Sequence, residues 1–171
     1  LTKQGFKGNI FTTAATRDLC TVMLPDSARI QGNDIDWINR KRKQLGQPAV
    51  EPTYNEVDAE KCLRQFVTFN YERPMMIAEG VKLHFIDAGH ILGSAQVVLD
   101  IDDRETGKKS RLLFSGDVGR PNNELLNNAS PCDGVDHVIM ESTYGGRKHE
   151  APVESSDHIC NVINETIKRR G

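Results

Sequence analysis

Apolar positions recur at two different periods along this chain. In the first third the period is helical. Thr13 is placed to cap a helix over residues 13–24, with Ala15, Leu19 and Met23 on one face. Pro25 is expected to interrupt or kink it. A second helix is predicted over residues 33–45, with Gly46 as its stop signal. A third is predicted over 55–66, with Ala59, Cys62, Leu63 and Phe66 at helical spacing. The middle is different. Residues 81–87, 95–101, 111–115 and 137–141 are short runs rich in Val, Ile, Leu and Phe, separated by Gly, Asn, Asp or Pro. These read as strands. The polar stretch 102–109 connects two of them as a long hairpin. The end returns to helix over 153–169, Pro152 standing near its start and Ile159, Val162, Ile163 and Ile167 forming one stripe. Helices, then strands, then a helix predict an α/β fold, a mixed or antiparallel sheet flanked by helices.

Composition narrows the picture. Of 171 residues, 37% are hydrophobic, enough to build a core in one domain, or one domain and the start of another. Lys and Arg number 22 against 24 Asp and Glu, a net charge of −2. That excludes a histone-like basic binder, though not a local basic groove. The cations at 40–43, Arg-Lys-Arg-Lys, fall in a predicted last helical turn, where they suit the helix dipole. A solvated helix end and an RNA contact both account for them. No apolar run approaches the ~18 residues of a membrane span. The opening LTKQGFKGNI has no secretory core and no initiator Met. Cys20, Cys62, Cys132 and Cys160 form no CxxC pair, which excludes zinc ribbons and thioredoxin-type sites. They are expected to be reduced thiols, mostly filling the core of a cytoplasmic protein with no membrane partner.

Three predicted strand ends carry polar residues beside glycines. In IDAGHILGSAQ (86–96), His90 projects from a loop after the strand. Alone it is a metal ligand or a hydrogen-bonded structural histidine. In LLFSGDVGR (112–120), Asp117 follows a buried strand. Alone it holds a cation, or serves a turn or helix cap. In HVIMESTYGGRKH (137–149), Glu141 ends a third strand. Alone this is a catalytic loop or a helix-capping loop. Together, His, Asp and Glu at successive strand ends are more specific, because rigid scaffolds place catalytic side chains on such loops. Imidazole and carboxylate are zinc donors, and a two-zinc site suits phosphoryl displacement.

At these loops the sequence resembles the metallo-β-lactamase superfamily, and within it the β-CASP branch of RNA-processing nucleases. DAGHILGSAQ is similar to the loop of that branch's third metal motif. FSGDVGR resembles the loop of its bridging aspartate, and ESTYGGRKH the segment entering its inserted domain. The resemblance implies an αββα sandwich, present here as an interior portion over residues 1–145. Residues 146–171 would begin the β-CASP insertion with its first helix. It implies that His90 ligates one zinc and that Asp117 bridges two. Glu141 would orient a histidine acting as general acid, and a metal-bound hydroxide would attack the phosphorus of RNA. Ser94, Tyr144 and Arg147 lie in the matching loops and are candidates to line the RNA path. His84, His137, His149 and His158 remain; His84 and His158 read as packing or surface residues.

The chain also departs from the family. Gly146 stands where the branch often has an acidic or amide residue. The HxHxDH cluster is absent, as are the later histidines, so the chain reads as the interior of a longer enzyme. By itself it is expected to bind zinc weakly and to be inactive. Two other classes stay open: a non-catalytic RNA- or protein-binding subunit, and a small-molecule hydrolase of the same fold.

Overall fold

The computed structural model describes residues 1–121, 125–143, 145–146 and 155–169. After a single 3-10 turn, Thr2–Gln4, strand β1 (Ile10–Thr12) leads into helix α1 (Ala14–Gln44). Helix α2 (Glu56–Leu63) and strand β2 (Phe66–Thr68) follow. Then come β3 (Met75–Ala78), β4 (Val81–Asp87), β5 (Ala95–Asp103), β6 (Lys108–Phe114) and β7 (His137–Ile139). Helix α3 (Ser155–Lys168) closes the described chain. Two compact units result, Leu1–Glu141 and Ser142–Gly171.

The fold class is α/β with a mixed sheet. Strands β3 to β7 lie in sequence order; the first three pairings are antiparallel and β6–β7 is parallel. β1 and β2 make a separate parallel pair. Alternation gives the large sheet two faces. On one, Ile86, Val98 and Leu113 are buried, with Cys132 and Val135 packed over them. On the other, Leu83 and Phe85 are buried. The Phe85 ring lies 6.5 Å from Phe69, which lies 5.3 Å from Phe11 in β1. This aromatic chain ties the large sheet to the small one.

Strand directions matter most for function. β4 and β6 both run antiparallel to β5, and β7 runs parallel to β6. The C-terminal ends of β4, β6 and β7 therefore share one edge of the sheet. The loops carrying His90, Asp117 and Glu141 all leave from that edge.

The helical third differs from the periodicity reading. Residues 13–24 and 33–45 belong to one helix, and Pro25 lies inside it. An interior proline costs about 3 kcal/mol. Here Arg29 Nη2 donates to Asp26 Oδ1 at 2.5 Å, and Gln31 Nε2 to Ser27 Oγ at 3.1 Å, closing the turns after it. α1 also packs against α2, where Ala28 and Ala59 are the buried residues of the two helices. The third helix stops at Leu63, and Phe66 starts β2 instead. A capping box starts it: Asn55 accepts from Asp58 N, and Asp58 accepts from Asn55 N. β1, β2 and β3 are too short to show a period of two. The four predicted strands are all present, β5 and β6 running further into the hairpin than expected and β7 stopping at Ile139, two residues before Glu141. The thiols are not mostly core fillers: Cys132 packs against the core cluster, Cys20 and Cys62 are half-buried and Cys160 is exposed, all free. The predicted start of the last helix, near Pro152, lies outside the described residues. No helix among them is long and apolar enough to cross a membrane.

Candidate metal centre

The His90 loop is held by its neighbours. Asp87 Oδ1 accepts from Gly89 N at 2.8 Å as β4 ends. Ser94 Oγ accepts from His90 N at 3.1 Å and Ile91 N at 3.2 Å. Tyr71 donates its hydroxyl to Ser94 O at 2.9 Å. Burial first, and the Asp87 carboxylate second, push the Tyr71 phenol above its ordinary value, so it stays a donor. Thr13 Oγ1 and Thr16 Oγ1 both donate to Gly93 O, at 2.7 and 2.9 Å. The start of α1 thus clamps the loop across 80 residues of chain. With the backbone fixed, the His90 side chain is left 44% exposed.

The Asp117 loop is interlocked with it. Gly119 N donates to Ala88 O at 2.8 Å. A Cβ on Gly119 would lie 1.6 Å from Gly89 O, so only glycine permits this approach. Gly89 itself has φ +63°, and a Cβ there would lie 2.7 Å from both Asn127 O and Ala129 N. The third loop joins through backbone and side chain. Ser115 N donates to Ile139 O at 2.9 Å, extending the β6–β7 ladder. Glu141 N donates to Ser115 Oγ at 3.3 Å, and Glu141 Oε1 accepts from Val118 N at 3.1 Å. The glutamate therefore grips the residue next to Asp117.

At the centre, His90 Nε2 lies 3.9 Å from Asp117 Oδ2. Two donors sharing one tetrahedral zinc at ~2.0–2.1 Å sit about 3.4 Å apart. A small side-chain rotation closes that gap, and both side chains are exposed enough to make it. An imidazole nitrogen and a carboxylate oxygen are both zinc donors, so the pair fits the ion. Among the described residues no three His, Cys, Asp or Glu side chains converge as a metal-holding group. The pair is a partial donor set.

The other histidines stand elsewhere. His84 is in mid-β4, its buried Nε2 without a hydrogen-bond partner and 3.5 Å from Glu72 Oε2. His137 begins β7 and His158 lies on α3, both exposed. His149, Tyr144 and Arg147 lie outside the described residues. Ser94 is present as a loop brace. Sequence reasoning missed the bracing set of Thr13, Thr16, Tyr71 and Ser115. Only the capping pattern at Thr13 carried any local signal, and that signal concerns its own helix.

No protein-family model matches the chain. Curated proteins do. The chain is 31% identical over 169 residues to transcription termination factor FttA of Thermococcus kodakarensis, covering 97% of this chain and 23% of that protein. It is 28% identical over 170 residues to endoribonuclease YSH1 of Yarrowia lipolytica, covering 99% and 18%. It is 34% identical over 121 residues to an RNase J-like protein of Methanocaldococcus jannaschii, covering 69% and 27%. The chain is homologous to β-CASP metallo-β-lactamase RNA-processing nucleases, the group its three loops resemble. It spans between about a fifth and a quarter of the length of these relatives.

Proposed function

We propose that this chain is a segment of a zinc-dependent RNA nuclease and supplies two of its zinc donors. The observation that supports this most is the meeting of His90 and Asp117 at one sheet edge, 3.9 Å apart. His90 would hold one zinc, and Asp117 would be shared between two. Bound zinc supplies Lewis-acid activation for phosphodiester hydrolysis. The chain's own residues fix the donors: Ser94 and Thr13 hold the His90 loop, and the glycine contact sets its spacing from Asp117. Glu141 is a positioning residue through Val118, and in the complete enzyme it would orient a histidine acting as general acid. An αββα sandwich over 1–145, with the first helix of an inserted domain from 146 on, is part of the same reading, as is a cytoplasmic setting for the four free thiols.

A structural zinc site uses four protein ligands and a catalytic one three. Two donors alone hold zinc weakly, so the 171-residue chain by itself is expected to leave RNA intact. In the complete protein, Asp117→Ala should remove bound zinc, read by elemental analysis, and abolish RNA cleavage. His90→Ala should weaken one metal position. Glu141→Gln should retain the metal and slow cleavage about 10–100-fold. Unchanged zinc content and cleavage in Asp117→Ala would overturn the assignment.

A further inference from the structure

The far end of α1 has a composition that the zinc site does not use. Arg40, Lys41, Arg42 and Lys43 follow one another there, in a chain whose net charge is −2. Arg40, Lys41 and Lys43 are exposed. On or beside the helices, several other exposed cations have carboxylate partners, Arg17 with Asp18, Arg29 with Asp26, Arg64 with Glu60 and Arg169 with Glu165, while Lys61 of α2 has none among the described residues. Among the described residues, these four cations make no such pair, although Asp36 stands one turn before Arg40. The helix dipole presents about half a negative charge at this end. Four cations exceed what it can neutralise several-fold.

The same end carries Trp37, the only tryptophan, which is 53% exposed. Lys41 Nζ lies 3.7 Å from the centre of its ring, over one face. The platform is rigid. Arg42 Nε donates to Pro48 O at 2.7 Å. The Asn39 amide clamps Val50, donating to its carbonyl at 2.9 Å and accepting from its N–H at 2.8 Å. The chain after the helix is thereby folded back against it, with Lys41 alone seated over the ring and Arg40 and Lys43 exposed beside it.

We infer that this end of α1 — Trp37 with Arg40, Lys41 and Lys43 — is a contact for single-stranded RNA. Such sites combine backbone-tracking cations with an aromatic surface on which a base stacks. Arg40 and Lys43 would meet phosphates, and the open face of Trp37 would meet a base. Trp37 to Lys43 lie about 36–45 Å along α1 from the cap that holds the His90 loop. The contact would hold a flanking part of the strand, not the scissile phosphate. The choice of RNA over another polyanion rests on the proposed nuclease reading.

The single tryptophan makes the test direct. The 171-residue chain is titrated with a single-stranded oligouridylate of about 15 nucleotides, following tryptophan fluorescence. Saturable quenching is expected. Affinity should fall with salt, with a log–log slope near −1.4 for two phosphate contacts at about −0.7 each. Arg40→Glu/Lys43→Glu should weaken binding about tenfold or more, and Arg40→Gln/Lys43→Gln less, with circular dichroism confirming the helix in each. Arg40→Lys/Lys43→Arg should restore it. Three results would overturn the inference: no quenching, equal affinity in the charge-reversed variant, or equally tight binding of oligoglutamate or anionic vesicles. Asp117→Ala should leave the quenching intact. Failure of the zinc reading and failure of this contact therefore give different results.

Discussion

The two ends of the large sheet use their charges in opposite ways. At the hairpin end the charged residues satisfy one another. Asp103 accepts from Glu105 N, Thr106 N and Thr106 Oγ1, which holds its carboxyl below the usual range, the Thr106 hydroxyl contributing most. Lys109 reaches Asp102 at 3.4 Å, and Arg111 Nε reaches Asp100 Oδ1 at 2.6 Å. At the other end, backbone carbonyls share the bracing with the Asp87 and Glu141 carboxylates and the Ser94 hydroxyl. Ala88, Gly93 and Ser94 carbonyls take the bonds, and the side chains of His90 and Asp117 stay exposed. One end consumes its carboxylates in turn-making. The other spends Asp87, Glu141 and backbone bonds on rigidity and keeps His90 and Asp117 for a ligand. A metal centre needs the second arrangement.

The interlocked loops are the first place to break that contrast. Gly119→Ala pushes a methyl into the Gly89 carbonyl, so one of the two loops must move. The expected loss is about 3 kcal/mol of stability, read as a fall in urea midpoint. Zinc affinity should fall with it. An equal substitution in the hairpin turn at Gly107, where no atom lies within 4 Å, should cost only its left-handed backbone strain.

Thr13→Val tests the bracing from α1. It removes the helix cap and one of the two hydroxyls on Gly93 O. A loss near 2 kcal/mol is expected, combining about 1 kcal/mol for the cap with the cost of a weakened buried carbonyl. Thr13→Ser should recover most of it in the same unfolding measurement.

What the residues disclosed and what they concealed divides along the same line. His90, Asp117 and Glu141 stand out in the sequence because each follows an apolar run and lies near glycines, although β7, the run before Glu141, is exposed in the fold. Local pattern suffices for that. Their convergence was not legible from spacing, because it depends on β6 and β7 pairing in parallel across a 22-residue connection. Thr13 and Tyr71 were missed as braces for a similar reason: each meets the loop only through long-range hydrogen bonds. Pro25 misled because a local breaker was overruled by side-chain bonds and packing against α2. Phe66 misled because helical spacing continues past Leu63 into β2.

The smallest effect belongs to the hairpin end. The Arg111 guanidinium hydrogen-bonded to Asp100 holds that carboxyl below its ordinary value. A depressed folded-state value adds stability above the unfolded value, about pH 4, and that stability is lost as pH falls through the folded value. The pair is about one-third exposed, so Asp100→Asn should cost no more than about 1 kcal/mol at pH 7. The difference from wild type should shrink toward pH 3 in urea titrations. A penalty independent of pH would assign the effect to packing.

The central claim is that the sheet edge brings His90 and Asp117 to one cation. It is tested most directly by nitrogen NMR of the histidine side chains during zinc titration of the chain. The account predicts that His90 Nε2 shifts first, ahead of His84, His137, His149 and His158, and that Asp117→Ala removes this priority. A different histidine responding first, or an unchanged His90 response in Asp117→Ala, would contradict it.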